Sequence, residues 1–560
     1  MVMANEVFVG AGASATMIPE AEIYLGTNGT IASNKLTQSD TTIKLVPDLY
    51  SGCVVKIVDT APSPDTTDYY TISTNDATSI TLDRNITSAA ATSSATILKF
   101  GTPVPAPQQT INSDTVNTLL SDNWLGLVNT LTPPNVEVEM KQMNLALAGT
   151  RNFAHQYKGA ETISGGSLDI SMNNGSWLYY ALGKISGIAH TKHSDGGTTF
   201  TATTNSSVTL TAVDSFNSID IGDVLTHGHI PAGTKIIAFN PTAETITLDT
   251  AATGSGTGQV VTIDTSSDLL TNETGENTYI NGTKIVRTLA GNEYPPVASQ
   301  TSFEKAGAGN FAYTFEELNG DELPSFAIEV SYNKSGNTNK YVDTANPNTD
   351  MFSRVFTGCQ VNSMTMSFEE GQELKTSLDL VTRRAFDSPE NYAPHRAVSG
   401  ASNMYNFSST MSDNSPFMYS DGALTLFGQS YARVKTGSLV ISNNITQQRY
   451  IGNTKRGVMS AHVPAQRTYE LSLTLLVTDT TIWDELRAME EYDTDAGTIK
   501  LNFTKDSGEL IEIELDDYII QSVNIPFPDD KGPIEVEMTA SARTLTGAKY
   551  TGKWAILNTD

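Results

Sequence analysis

The chain is short of charge, of bases and of cysteine. Only 17% of its 560 residues are charged, against roughly 25% in an average soluble protein. Lys plus Arg number 34 and Asp plus Glu 62, a formal net charge of −28. Gripping phosphate backbones takes dense Lys and Arg to displace counterions, so specific nucleic-acid binding is excluded. Two cysteines, Cys53 and Cys359, cannot build a disulfide framework, and no C-x-x-C unit is present for zinc or redox work. Both are expected as small buried side chains. No apolar run approaches the roughly 18 residues of a membrane helix, so no membrane insertion is expected. The N-terminus lacks a basic leader, and Glu6, Glu20 and Glu22 punctuate its apolar stretches. Assembly in a cytoplasm is the expectation.

Catalytic signatures are missing too. There is no G-x-S-x-G, H-E-x-x-H, phosphate-binding G-x-x-x-x-G-K-[ST], or G-x-G-x-x-G between strand and helix. His190 with His193, and His227 with His229, have spacings a metal could use, but neither pair has an acidic partner at ligand spacing. Solvated loop histidines are expected, with no cofactor, no metal and no catalytic residue. Carboxylates are plentiful enough for a glycosidase pair, yet acidic strand edges and turns account for them.

What is present is a hydrophobic fraction of 39% arranged mostly with period two. Val136, Val138 and Met140 alternate with Glu137 and Glu139. Similar alternation runs through Val361–Phe368, Leu510–Leu515 and Ile534–Met538. Each reads as a half-buried strand with one apolar face. Helical spacing is confined to Trp177–Leu182 and Asp479–Glu491, the latter capped by Asp479 or Thr480. The fold class is mainly β with short helices, and the length suggests three or four domains.

Self-comparison shows two duplications. The smaller relates residues 27–100 to 190–265: TIKL (Thr42–Leu45), a strand after Gly52 and ITLD (Ile80–Asp83) recur as SVTL (Ser207–Leu210), a strand after Gly222 and ITLD (Ile246–Asp249). The larger relates the two halves. A strand from Val136, the loop Gly149–Gly159, a strand Glu161–Ile170 and the helix at Trp177 recur as Gly437–Ile441, the loop Ile451–Gly457, Gln466–Leu475 and the helix at Trp483. Each half closes with a strand pair: Val361–Phe368 turning through Glu369-Glu370-Gly371 into Leu374–Leu380, and Ile519–Phe527 turning through Asp529-Asp530-Lys531-Gly532 into Ile534–Met538. Ser363 corresponds to Ser522, and Phe368 to Phe527.

Local basic clusters stand out against the acidic total: Arg151 with Lys158, and Arg449 with Lys455 and Arg456. They read either as solvated turns or as tips that pair across subunits with Glu369, Glu370, Asp529 and Asp530; phosphate binding fits the total charge least.

The order G-T-R-N, K-G, S-G-G-S-L-D-I and L-G-K-I, with Phe356–Leu380 and Gly437–Ile445, resembles the tail tube proteins of long-tailed bacteriophages. The match covers roughly 105–190 and 270–560. The resemblance implies two tandem tube-like β-barrel or sandwich domains (101–190 with 266–400, and 401–560), interrupted by small β-modules (27–100 and 191–265) that project outward, after an N-terminal arm (1–26). It implies a structural, non-enzymatic virion protein: a major tail tube subunit whose rings stack head to tail around passing phage DNA. Two units per chain imply trimeric rings of pseudo-six-fold symmetry, with tape measure, terminator and tip proteins as further partners. The arm could add a strand to a neighbouring subunit. Alternatives are a tail-tip, hub or distal tail protein of the same fold, or a β-rich carbohydrate-active enzyme or adhesin.

Overall fold

The computed structural model describes residues 14–27, 29–39, 44–60, 65–87, 93–105, 109–111, 114–116, 119, 126–143, 155–190, 199–214, 224–240, 243–264, 278–280, 283–285, 311–318, 323–333, 351–387, 415–427, 429–431, 434–448, 461–476, 481–488, 497–505, 509–526 and 532–552. The class is mainly β, as the alternation predicts. Eight strands form an unbroken antiparallel path: β1 (Leu127–Thr132), β2 (Ser167–Ser171), β3 (Met351–Glu369), β4 (Lys375–Val381), β5 (Val434–Ser442), β6 (Thr468–Leu476), β7 (Asp517–Asn524) and β8 (Glu535–Thr544). Their spatial order is β1-β2-β4-β3-β5-β6-β8-β7, so the first four strands and the last four repeat one order. The long strand β3 turns at Gly358 (φ +64), where a Cβ would meet the Arg383 side chain. Its N-terminal part pairs with Phe326–Asn333 and Arg384–Asp387 instead.

A second layer has the order Gly183–His190, Phe311–Glu317, Gly547–Gly552, Leu510–Leu515, Ile499–Thr504, Gly422–Leu426, Gln429–Tyr431. Both layers draw on one core that includes Leu168, Met364, Leu378, Leu439, Leu471, Met538, Phe503 and Tyr550. The halves are therefore joined in both layers. Phe311–Glu317 of the first pairs with Gly547–Gly552 of the second, and Glu317 accepts hydrogen bonds from the Tyr469 hydroxyl (2.6 Å) and the Leu545 amide (2.8 Å). Among the described residues the layers face each other as a sandwich, and no closed barrel forms.

Helix α1 (Ser176–Leu182) ends at Gly183 in the left-handed region (φ 110), and helix α2 (Thr481–Ala488) occupies the like place in the second half. Trp177 of α1 is buried against Tyr180 and Phe326, with ring centroids 5.7 and 5.5 Å away. The proposed caps Asp479 and Thr480 lie outside the described residues.

The two modules are separate sheets with separate cores. The first is seven-stranded, and its core also takes in Ile18, Ala327, Val355 and Phe386. The second is a pair of three-stranded sheets around Phe200, Leu210, Leu225, Ile246 and Val261. The ITLD aspartates make the same reciprocal pair of bonds. Asp83 accepts from the Thr71 amide (3.2 Å) and returns its own amide to the Thr71 carbonyl (2.9 Å); Asp249 does so with Lys235 at 2.9 and 2.9 Å.

Three expectations change. Ser14–Pro19 pairs antiparallel with Phe326–Asn333 of its own chain, so this part of the arm is not a free strand for a neighbour. Glu161–Ile170 is two strands, His155–Ser164 and Ser167–Ser171, because Gly165 passes so close to the Leu380 carbonyl that a Cβ would lie 2.1 Å from it. Finally, Asn135–Met143 is not half-buried. Among the described residues it pairs only with His155–Ser164, and Val138, Met140 and Met143 stay exposed, because alternation reports an apolar face without saying what covers it.

Candidate functional site: the polar face of the eight-stranded sheet

Along the middle strands β4, β6 and β8, every second side chain enters the core and the others form one open face. The pairing aligns these outward residues in rows. One row is Ser171, Lys375, Ser367, Ser438, Ser472, Thr539 and Ser522; another is Thr130, Asp169, Ser377, Thr365, Val440, Glu470 and Ser541. Short hydroxyl side chains dominate, and the longer groups are mostly acids: Asp169, Asp379, Glu369, Glu470, Glu535 and Glu537. Many are tied down along the face. Ser377 donates to Asp169 (2.6 Å), Ser171 to Glu373 (2.6 Å) and Asn362 to Asp379 (2.8 Å), while Ser522 and Thr539 share a 2.6 Å bond. A shallow groove of about 450 Å³ crosses the middle strands between Lys375, Ser438, Ser472 and Glu537.

The halves agree rung by rung. Strand β1 carries one extra residue, Asn129, opposite β2; β5 carries Lys435 at the same point opposite β6. Strand β3 bulges at Asn362 opposite β4, and β7 at Gln521 opposite β8. Counting from these bulges aligns Ser363 with Ser522 and Thr130 with Thr436, and both counts place Ser167 with Ser472. Bulges bend a strand and raise its twist, so matching bulges give both halves the same curvature. The first-half counterpart of Val434–Ser442 is thus 128–136. Only Leu127–Thr132 of it stays in the sheet, since Pro133-Pro134 and Gly165-Gly166 break the ladder before Val136.

Residues 3–542 match the family described as phage tail tube protein. The chain belongs to that family. No curated protein matches it. Membership makes it a structural component of the phage virion tail, in a family that is structural rather than enzymatic and that self-assembles and associates with other tail proteins.

The basic and acidic tips are placed only in part. Arg151, Arg449, Lys455, Arg456, Asp529 and Asp530 lie outside the described residues. Lys158 is exposed on the hairpin opposite Met140. Glu369 and Glu370 end the β3–β5 ladder beside Lys435: the Glu370 amide donates to the Lys435 carbonyl (3.2 Å), and the Lys435 ammonium pairs with Glu535 at 2.5 Å. That bond and the Glu370 charge raise the Lys435 pKa. No cluster of three metal-ligating side chains occurs among the described residues. His227 and His229 stack edge to face at 4.9 Å, and Thr204 bonds His229 at 2.9 Å, a local turn contact. Cys53 and Cys359 are buried thiols.

One buried polar seam gave no sequence signal. The Glu20 carboxylate accepts from the Gly101 amide (2.9 Å), the Ser325 hydroxyl (2.5 Å) and the Gly358 amide (2.7 Å). It thereby ties the segment after the first strand to the first module and to the bend of β3. Burial outweighs these bonds and lifts its pKa to about 7. Arg383, also buried, reaches Cys53 Sγ at 3.4 Å, and His462 bonds Gln360 at 2.9 Å. Desolvation and the Arg383 charge lower the His462 pKa to about 4.

Proposed function

We propose that this chain is the major tail tube subunit, and that the hydroxyl- and acid-bearing face of its eight-stranded sheet lines the bore. Three copies form a ring of six like four-stranded units, and rings stack head to tail around the passing genome. The observation that carries the reading is the repeat of strand order and bulges across a sheet whose open face is largely polar, with Val440 and Ile519 among hydroxyls and acids. A lining of short hydroxyls in which acids outnumber Lys375 offers DNA few cationic wells, and its negative potential keeps the polyanion off the wall. Contacts between unlike surfaces close within a ring and stay open along the axis, which yields a rod. The small modules sit outside the bore, where their Thr- and Ser-rich surfaces meet solvent. The basic tips meet acidic turns across rings in register. Host-cytoplasm assembly, with tape measure, terminator and tip proteins at the ends, completes the role.

The test is electron microscopy of purified protein. Long hollow rods with three-fold rings support the tube. Discrete single rings would make it a hub or distal tail protein, and six-fold rings of whole chains would overturn the duplication argument.

A further inference from the structure

Each half carries a hairpin beyond the sheet, and only one of the two is held down. The count that aligns Thr130 with Thr436 and Ser167 with Ser472 carries the rung Lys141–Tyr157 onto the rung Gln447–His462. The same ladder therefore forms in two settings. In the first half Tyr157 is 52% exposed, and Asn135–Met143 and His155–Ser164 pair, among the described residues, only with each other. In the second half His462 is 3% exposed. Its ring lies edge to face against Phe100, centroids 5.1 Å apart, and its Nδ1 donates to Gln360 Oε1 at 2.9 Å. Gln447, across the rung, donates to the Thr382 carbonyl at 3.3 Å. The first hairpin keeps its ladder without such a seat, so the seat is an addition to the hairpin and not a condition for it.

We infer that His462 is a proton-operated latch: neutral, it seats the second hairpin against the first half; protonated, it leaves the seat and frees the hairpin to stand out like its first-half counterpart. The latch does not rest on the tube reading, but in the ring proposed above its release would give every copy two free hairpins in place of one.

The seat satisfies one ring nitrogen. Gln360 is fully buried and gives its Nε2 to the Leu323 carbonyl (2.6 Å), which turns its oxygen to the imidazole and makes His462 Nδ1 the donor. His462 Nε2 is buried with no hydrogen-bond partner among the described residues. The titratable groups packed around this seam are Arg383 and Cys359 of the first half, Glu20 of the N-terminal arm, and Cys53 and Tyr50 of the first module. Arg383 is the cation among them, 1% exposed, its guanidinium 5.8 Å from the same Phe100 ring, and Glu20 is the acid that faces it. As pH falls, Glu20 takes up a proton near pH 7, which removes the negative charge facing Arg383. A proton on the seated imidazole would then add a second buried cation beside the first. Burial and the Arg383 charge oppose that proton more than the Thr382 carbonyl favours it. An imidazole out in water meets neither obstacle. The seated value of about 4 lies below the ordinary 6.5, so release is favoured as pH falls from 6.5 through 4.

Hydrogen exchange on full-length, dissociated chains tests the latch, with rates corrected for the intrinsic effect of pH. Near pH 7 the amides of 446–448 and 461–463 should exchange about tenfold more slowly than those of 140–142 and 156–158. At about pH 4 the two sets should converge, while 434–442 and 468–476 keep their protection. The full-length variant His462→Gln, whose side chain can still donate to Gln360 but takes up no proton, should hold the slow rate at both pH values. Slow exchange of the wild-type hairpin that persists at pH 4, or an equal rise in His462→Gln, overturns the latch. Loss of protection in 434–442 and 468–476 at the same pH makes the event global unfolding and overturns it as well. Should the variant fail to fold, the wild-type series decides alone. None of these readings depends on whether wild-type chains form rods, so the latch and the tube can fail separately.

Discussion

The internal joint and the open edges of the sheet are made from like rungs, and the chain treats them differently. Where β3 meets β5, the ladder runs from Ser363 to Glu369 without a proline on either strand. At the edges, Pro133 and Pro134 follow β1, and Pro526 follows β7. Proline cannot donate to a ladder, and edge prolines block unguided strand addition. The helices diverge in the same way: Trp177 is 2% exposed and Trp483 42%. A surface sealed during folding can be fully apolar. The edge strands instead run into prolines and leave Trp483 partly in solvent.

That contrast can be broken in graded steps. The largest effect is expected at the tryptophans. Trp177→Ala should cost about 3–5 kcal/mol of folding stability, as for other large buried aromatics. Trp483→Ala should cost under about 1 kcal/mol in dissociated chains yet abolish rods. Chemical denaturation and microscopy on the same samples check both; a Trp483→Ala protein that still polymerises would contradict a role for this exposed ring in assembly.

Gly437 comes next. A Cβ there would lie 2.3 Å from the Phe368 ring and 2.7 Å from Leu473, while its counterpart at the edge is Leu131. Gly437→Leu should therefore destabilise the chain by about 1–3 kcal/mol through overpacking, read as a lower denaturation midpoint. Asn443→Ala should cost about the same, since it leaves the Ala181 and Val361 carbonyls, both now bonded by its amide, without that donor.

Last comes the pH dependence of the seam at Glu20. Its folded pKa of about 7 lies above the ordinary 4.5, so between those values the folded chain binds more protons than the unfolded one. Stability should fall as pH rises from about 4.5 through 7 and then level off. Glu20→Gln should flatten that slope in thermal melts, while an unchanged slope would assign the dependence elsewhere. His462, held neutral to about pH 4, contributes oppositely, losing stability as pH falls from 6.5 through 4.

Much of the sheet was legible beforehand. Leu510–Leu515 is a strand with the predicted limits, and the correspondence of Ser363 with Ser522 is the correspondence of two bulges. Alternation and repetition are local properties, so they survive in one dimension. The shift of the first-half strand to Leu127–Thr132 was not legible, because Val136 alternates as well as any sheet strand and only Pro133-Pro134 and Gly165-Gly166 remove it from the ladder. The Glu20 seam could not be read either: its partners Gly101, Ser325 and Gly358 are scattered along the chain, two of them donate through backbone amides, and no side-chain spacing records such bonds.

By itself the sequence determined a β-rich, acidic chain built twice over, with hydroxyls and carboxylates on the faces left out of the core. Those outcomes need only residue type and period. The tertiary structure decided that the two halves share one core and both layers, that the first module is tied to the sheet by a buried carboxylate, and that, among the described residues, two like strands end the sheet at opposite sides. Closure between distant strands depends on which faces find partners in space, a competition among apolar surfaces that the order of residues along the chain does not rank.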